Sequence, residues 1–467
     1  MKQSHASQAT NLTETKPQQD DHVSSKKIAD TLIEAEWIIP VDPSNRILQQ
    51  HALVIREGKI IDILPSEQAQ QEYQPAQHLD LHNQILIPGL INTHGHAAMS
   101  LLRGLADDLP LMAWLTEHIW PAEQRLVCDE FVATGTELAI AEMLLSGTTC
   151  FSDMYFYPDV AAKIAHQHKI RAHLSVPILE FPSPWANNAD EYIQKGLAVF
   201  DNYRNHPLIQ IGFGPHAPYT VSDESLSRIA TLANELDATI QIHLHETAKE
   251  VSDAVSESGQ RPIQRLESLG LLSPRLQCVH MTQVDDSDLN LLDQYGCHII
   301  HCPESNLKLA SGICPVTRLL ETGINVALGT DGAASNNDLN LLGEMRTAAL
   351  LAKAESRKAT AVPAQQALRM ATINGAKALG IDHITGSLEV GKAADIVAID
   401  VSDIILQPLH NPLSQLVYTD CSRYVSHVWI NGEPLVTGGK LKNFDLHTLN
   451  NKVQSWRDKI TALDQHH

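Results

Sequence analysis

From Gly89 onward the chain alternates short apolar runs with longer helix-like stretches, a rhythm that few architectures accept. The strand-like runs are Met143–Phe151, Ile170–Val176, Ile209–Phe213, Thr239–Leu244, Leu276–His280, His298–His301 and Val326–Leu328. Strands apolar along their whole length, with helices between them, belong to a parallel sheet covered on both faces. The stretch from 89 to 385 has the length of a closed (β/α)8 barrel of the TIM type, typically about 250 residues.

The flanks read differently. Thr31–Val41 has a strand pattern, Ala52–Ile63 a hairpin turning at Glu57–Gly58, and Leu81–Ile87 a further strand stopped by Pro88–Gly89. The β character returns in Ala394–Asp400 and Tyr424–Ile430, followed by an Asn431–Gly432 hairpin turn. Residues 31–88 and 386–445 are therefore expected to form one small β-sandwich domain from the two ends of the chain, with a helix over 446–467. Residues 1–30 are polar, lack the apolar segment of a secretory signal, and are expected to be a disordered leader.

Charge and cysteine usage narrow the partners. A formal net charge of −21, from 55 acidic against 34 basic residues, argues against nucleic acid or an anionic membrane, both of which need a basic surface. No apolar run approaches the roughly 20 residues needed to cross a bilayer. The seven cysteines are scattered without a CxxC pair, as expected of reduced thiols in a cytoplasmic protein.

Four strand ends carry groups suited to chemistry. In INTHGHAAM, His94 and His96 are two residues apart, so extended backbone points both imidazoles to one side. A lone HxH also arises among core or surface histidines, and the pair alone does not make a site. In TIQIHLHETAKE, His243 and His245 share a strand face that could line the barrel interior. Glu246 then stands at the strand's C-terminal end, where barrel enzymes keep their catalytic groups, although an acid there could equally cap the next helix. In LQCVHMT, His280 stands at the end of another apolar strand, and Asp331 ends the apolar run of VALGTDGAASNN before a loop of small residues.

The conjunction is what carries weight. Successive strand ends deliver imidazoles or carboxylates to one rim. Three histidines and an aspartate can satisfy one Zn²⁺ and leave a place for water. Zinc lowers the pKa of that water towards about 7, and a neighbouring carboxylate can then move protons. Fe²⁺ or Mn²⁺ would suit the same donors.

With these motifs in place, the chain resembles the amidohydrolase superfamily, and within it the methylthioadenosine/S-adenosylhomocysteine deaminases. The resemblance starts near residue 30 and rests on PGLINTHGHAAMSLLRGLADDLPLMAWL, GTTCFSDMY, GFGPHAPYT, IHLHETAKE, HCPESNLKL and LGTDGAASNNDLN. It implies one zinc held by His94, His96, His243 and Asp331. It implies Glu246 as the proton shuttle that protonates ring N1 as hydroxide adds at C6. His280 would orient the zinc-bound water, and Asp331 would take a proton from it. Glu123, in WPAEQRL, would bind the ribose hydroxyls; without the motif it would read as a solvated helix acid. His216, in GPHAPY, would contact substrate, Trp114 would form a pocket wall, and Ser335 would reach the substrate from the loop after Asp331. A small-molecule nucleoside is the implied partner, and relatives suggest a homo-oligomer, dimer or tetramer.

Two absences refine the expectation. Binuclear relatives place a carbamylated lysine on strand four; RAHLSVPIL, read as that strand, has none, and Lys169 precedes it, which favours a single metal. Relatives that accept S-adenosylhomocysteine are expected to hold its carboxylate with arginines after strand four, yet SVPILEFPSPWANNADEYIQK contains no arginine. A bidentate arginine clamp is hard to replace, so an arginine from elsewhere, such as Arg103 or one of a neighbouring subunit, would have to supply one. The alternatives are a zinc hydrolase of guanine, cytosine or a chlorinated triazine, for which a ribose contact at Glu123 has no use, and a non-catalytic barrel, which would be expected to lose a ligand or the shuttle. The expected outcome in an ammonia-release assay is a higher kcat/KM for methylthioadenosine or adenosine than for S-adenosylhomocysteine. A clear preference for the last would overturn the reading.

Overall fold

The structure, a computed structural model, describes residues 26–43 and 46–464. The expected leader lies outside the described residues as far as residue 25, as do the last three positions of the expected C-terminal helix. Strand β1 (Lys27–Ile38) begins inside the segment expected as leader. β2 (Leu48–Arg56) and β3 (Lys59–Pro65) form the expected hairpin, and Glu57 and Gly58 at its turn both have positive φ, +53° and +75°. A two-residue turn of that hand matches the right-handed twist of the strands it joins.

A short helix, Ser66–Glu72, precedes β4 (Tyr73–Pro88), and only Ala69 of it is buried. With so little apolar content it left no periodic signal in the sequence. β4 lies between β1, to which it is parallel, and β13 (Ile396–Asp400), to which it is antiparallel. The sheet continues outward through β14 (Val425–Ile430), β15 (Glu433–Thr437) and β16 (Lys440–Leu441), so the two ends of the chain share one eight-stranded sheet. It folds over on itself: Ile60 N–H donates to Lys392 O at 3.0 Å and Ala394 N–H to Gly58 O at 2.9 Å. Ile33, Leu53, Ile55, Ile60, Ile396 and Trp429 fill the space enclosed. The Asn431–Gly432 turn has the same positive-φ pair and abuts the first turn so closely that a Cβ on Gly58 would stand 2.8 Å from Asn431 O.

Between the halves of that sheet run β5 (Leu90–Asn92), β6 (Thr148–Asp153), β7 (Arg171–Ile178), β8 (Ile209–Pro215), β9 (Ile240–Leu244), β10 (Leu276–His280), β11 (His298–His301) and β12 (Val326–Leu328). Neighbours in this order are hydrogen-bonded and parallel. Thr93 N–H donates to Leu328 O at 3.0 Å, which joins the last strand to the first and closes the barrel. Every residue of β6, β7, β9 and β10 is buried, as parallel strands covered on both faces must be. Two sequence readings need correction. Met143–Leu145 belong to the helix Asp129–Leu145, because a short apolar run cannot distinguish a buried helix end from a strand. RAHLSVPIL is the third barrel strand; the fourth is β8, IQIGFGP, which also lacks lysine.

Helix Leu446–Asp464 packs on Asp129–Leu145, with Trp456 edge-to-face on Phe131 at 5.2 Å. No helix among the described residues is long and apolar enough to cross a membrane. A buried ion pair pins the shared sheet to the barrel floor. Arg171 Nε donates to Asp395 Oδ2 at 2.5 Å, while Asn431 N–H donates to Asp395 Oδ1 at 2.8 Å and Gly89 N–H to Asp395 O at 3.0 Å. Asp395→Ala would leave the guanidinium without its buried counter-charge. It is expected to cost about 3–5 kcal/mol in denaturant unfolding, and a loss below about 1 kcal/mol would show that the pair does not hold the sheet.

Candidate active site

All eight barrel strands end on one rim, where the structure brings together His94 and His96 after β5, His243 in β9, His280 at the end of β10 and Asp331 after β12. His94 Nε2 lies 3.3 Å from Asp331 Oδ1, His96 Nε2 3.1 Å from the same oxygen, and His243 Nε2 3.2 Å from His94 Nε2. Zinc bonds of about 2.0–2.1 Å in a tetrahedron imply donor–donor edges of about 3.3 Å. The cluster therefore has the span of a metal's coordination shell.

Outward hydrogen bonds fix which nitrogen each ring presents. His94 Nδ1 donates to Gln241 Oε1 at 2.8 Å, His96 Nδ1 to Met154 O at 2.7 Å and His243 Nδ1 to His216 O at 2.7 Å. Gln241 Nε2 is itself spent on Thr93 O and Gln277 Oε1, which leaves its oxygen for His94. Each Nε2 thus turns a lone pair inward, as a metal ligand must. Lone pairs of His94 and His243 face each other at 3.2 Å, an arrangement that a cation between them resolves. Burial and the surrounding imidazoles hold His243 well below the usual histidine range, and burial lowers His94.

Asp331 Oδ2 accepts from Ser305 Oγ at 2.6 Å and Ser335 Oγ at 2.8 Å. His280 Nδ1 donates to Asn306 Oδ1 at 2.8 Å, so its Nε2 also faces inward, 3.8 Å from Glu246 Oε2. His280 and Asp331 both adopt positive φ, +74° and +60°, a conformation costly for residues with a Cβ and concentrated at functional sites.

Glu246 is buried beside this cluster, with Ser311 Oγ donating to its Oε1 at 3.2 Å. Burial, reinforced by the Asp331 charge, pushes its carboxyl up to about 8. It does not cap the following helix; Thr247 does, its hydroxyl accepting from Glu250 N–H at 3.1 Å. His245 stands outside the site. β9 ends at Leu244, and a positive φ of +51° turns the His245 ring to Gln283 O and Ile263 N–H.

A cleft of about 1050 Å³, open mouth included, lies over the cluster. Its far wall is apolar: Leu111, Trp114, Ile119, Trp120, Leu179 and Phe181. Trp114 opens a π-helical turn, Trp114–Ile119, within the helical segment that ends as Trp120–Leu126. Glu123 on that last helix is buried, which removes the solvated-acid reading, and burial pushes its carboxyl up to about 7. Tyr155 OH donates to its Oε1 at 2.7 Å. His216 and Ser335 also line the cleft, and burial lowers His216 to about 4, so its ring is neutral. Among the described residues no lysine or arginine lines the cleft, and Arg103 is bound to both carboxylate oxygens of Glu142.

Sequence reasoning missed Gln241, Tyr155, Ser305, Asn306 and Ser311. Gln241 alone had a signal, since it stands two residues before His243 on the same strand face. Gln241→Leu removes the acceptor that orients His94. Metal affinity measured by competition with a chelator is expected to fall about 10–100-fold, and an unchanged Kd would show that His94 needs no such partner.

The chain matches the amidohydrolase family over residues 85–435. A 5-methylthioadenosine/S-adenosylhomocysteine deaminase of Saccharophagus degradans is 56% identical over 440 residues, covering 94% of this chain and 99% of its own. One from Teredinibacter turnerae is 52% identical, covering 93% and 98%. The zinc-bound crystal structure of an adenosine deaminase from Xanthomonas campestris superposes with a TM-score of 0.93 at 47% identity, covering 94% of this chain and all of that one. The zinc complex of the atrazine chlorohydrolase TrzN from Arthrobacter aurescens, at 24% identity and a TM-score of 0.86, shares the fold. The family match and these near full-length relatives show that the chain belongs to the amidohydrolase family.

Proposed function

We propose that this chain hydrolytically deaminates an adenosine-type nucleoside, releasing ammonia and the inosine analogue, at one zinc ion held by His94, His96, His243 and Asp331. The observation that carries the reading is the spacing of 3.1–3.3 Å among inward-facing donors, with the buried carboxyl of Glu246 beside them. The zinc of the Xanthomonas campestris structure supports that choice of ion. When bound, zinc supplies Lewis acidity that brings the pKa of water down towards about 7.

The chain's own residues do the rest. Ser305 and Ser335 hold Asp331 Oδ2 and Gly332 N–H donates to Oδ1 at 2.8 Å, and the carboxylate fixed in this way takes a proton from the attacking water. His280, its Nδ1 proton held by Asn306, accepts from the same water through Nε2 and aligns it. Glu246, kept protonated by burial, gives its proton to ring N1 as the water oxygen adds at C6. The proton lost by the water then returns to the exocyclic nitrogen, and as the C6–N bond breaks to release ammonia the hydroxyl on C6 gives its remaining proton back to Glu246 and becomes the carbonyl.

Glu123 supports a nucleoside over a bare base. Tyr155 fixes one carboxylate oxygen deep in the cleft, where the other can accept from ribose hydroxyls. The apolar wall, without a cation for a carboxylate, supports a neutral 5′ group, as in methylthioadenosine or adenosine. Glu246→Gln keeps the shape but cannot pass the proton. It is expected to retain one zinc per chain while kcat falls at least a few hundredfold, and a variant that keeps its turnover would refute the role.

A further inference from the structure

The loop that carries Glu246 is held by a second acid to which neither motif nor charge had given a task. Glu250 stands in the first turn of the helix Ala248–Ser258, three residues after its N-cap Thr247. In the usual capping box a glutamate at that position reaches back to the N-cap N–H. Here the carboxylate reaches further: Oε1 accepts from His245 N–H at 2.9 Å and Oε2 from Glu246 N–H at 2.7 Å. Consecutive N–H groups around a left-handed residue form a concave nest for an anion, and His245, at φ +51°, is that residue. Burial pushes the Glu250 carboxyl up to about 7 while the two N–H groups favour its ionised form, which is the anion of the nest.

This arrangement decides where Glu246 points. Strand β9 ends at Leu244, and the left-handed turn at His245 lifts the chain off the strand so that the Glu246 side chain enters the cleft beside His280. The N–H side of Glu246 is tied by Glu250, and its carbonyl by Thr282 Oγ1 at 2.7 Å. Ser311 then fixes one carboxyl oxygen. Removing the nest's anion leaves two adjacent N–H groups, one of them that of Glu246 itself, without their acceptor.

We infer that Glu250 is a positioning residue for deamination, holding the His245–Glu246 turn and thereby aiming the Glu246 carboxyl. The inference rests on Glu246 being the proton shuttle. A glutamine at 250 has one acceptor oxygen and turns its amide towards the second N–H, so the turn loses half its support. Glu250→Gln is expected to lower kcat about 10- to 100-fold, with KM within about threefold and one zinc per chain retained. In the Glu246→Gln background the same change is expected to alter kcat less than about twofold, because a residue acting through Glu246 has nothing left to aim. Thr247→Ala, which takes the acceptor from Glu250 N–H but leaves the Glu250 carboxylate and both N–H groups of the nest in place, is expected to leave kcat within about twofold.

Equal kcat losses in both backgrounds, a loss matched by Thr247→Ala, or a loss that follows zinc content would each overturn the inference. Should Glu250→Gln fail to accumulate as folded protein, Glu250→Asp, which keeps the charge but shortens the reach, is read by the same criteria. If Glu246→Gln itself keeps full turnover, the shuttle reading falls and this inference with it. If Glu246→Gln is inactive while Glu250→Gln is not, only this inference falls.

Discussion

The seam that closes the barrel also builds the candidate active site. Thr93 N–H reaches Leu328 O, and just beyond that bond Asp331 N–H reaches His94 O, both at 3.0 Å. Residues far apart in the sequence become neighbours because the first and last strands must pair. The fit is close: a Cβ on Gly329 would stand 2.8 Å from the Cβ of His94, so only glycine lets the strands meet there. Parallel strands add the second condition, since all their C-terminal ends then face one way. Two histidines after β5, one in β9, one at the end of β10 and an aspartate after β12 have no other place to converge.

Convergence alone would give a repulsive cluster. Burial disfavours charged imidazoles, and the cluster copes by giving every inward-facing ring an acceptor behind it. Two of those acceptors are backbone carbonyls and a third, Gln241, is tied through its amide to Thr93 O and Gln277 Oε1, so the orientation is set before any ligand arrives. The positive φ values at His280 and Asp331 belong to the same economy of position. The rim is strained where side chains must be aimed, and the strands beneath it are regular and dry.

Much of this was legible in the sequence, for a physical reason. Strand ends with imidazoles and carboxylates stand out because a barrel strand is otherwise apolar, which is how His94, His96, His243, His280 and Asp331 could be picked without a structure. The groups behind them could not, because Ser305 and Asn306 lie on the short helix Pro303–Lys308 and Ser311 just beyond it, and where that segment packs depends on the tertiary fold. His245 misled for a related reason. Period-two reasoning holds only while the backbone stays extended, and the strand ends one residue earlier. The miscounted fourth strand arose because β5 has only three residues and adds almost no apolar signal of its own. The helix Ser66–Glu72 was silent because its surface is polar nearly all round.

The sheet shared by the two ends of the chain has a consequence for biosynthesis. β4 is paired by β1 on one side as soon as both have been made, but its other edge waits for β13, separated from it by the entire barrel. A nascent chain therefore carries an open, largely apolar strand edge while some 300 residues are added, and such an edge is a template for pairing with another chain. The barrel that grows in the interval holds the whole proposed ligand set, so the catalytic scaffold can close before the clasp does. Arrival of β13 with Asp395 then seals the edge and neutralises Arg171 in one step, so a segment made after the barrel locks a strand made before it.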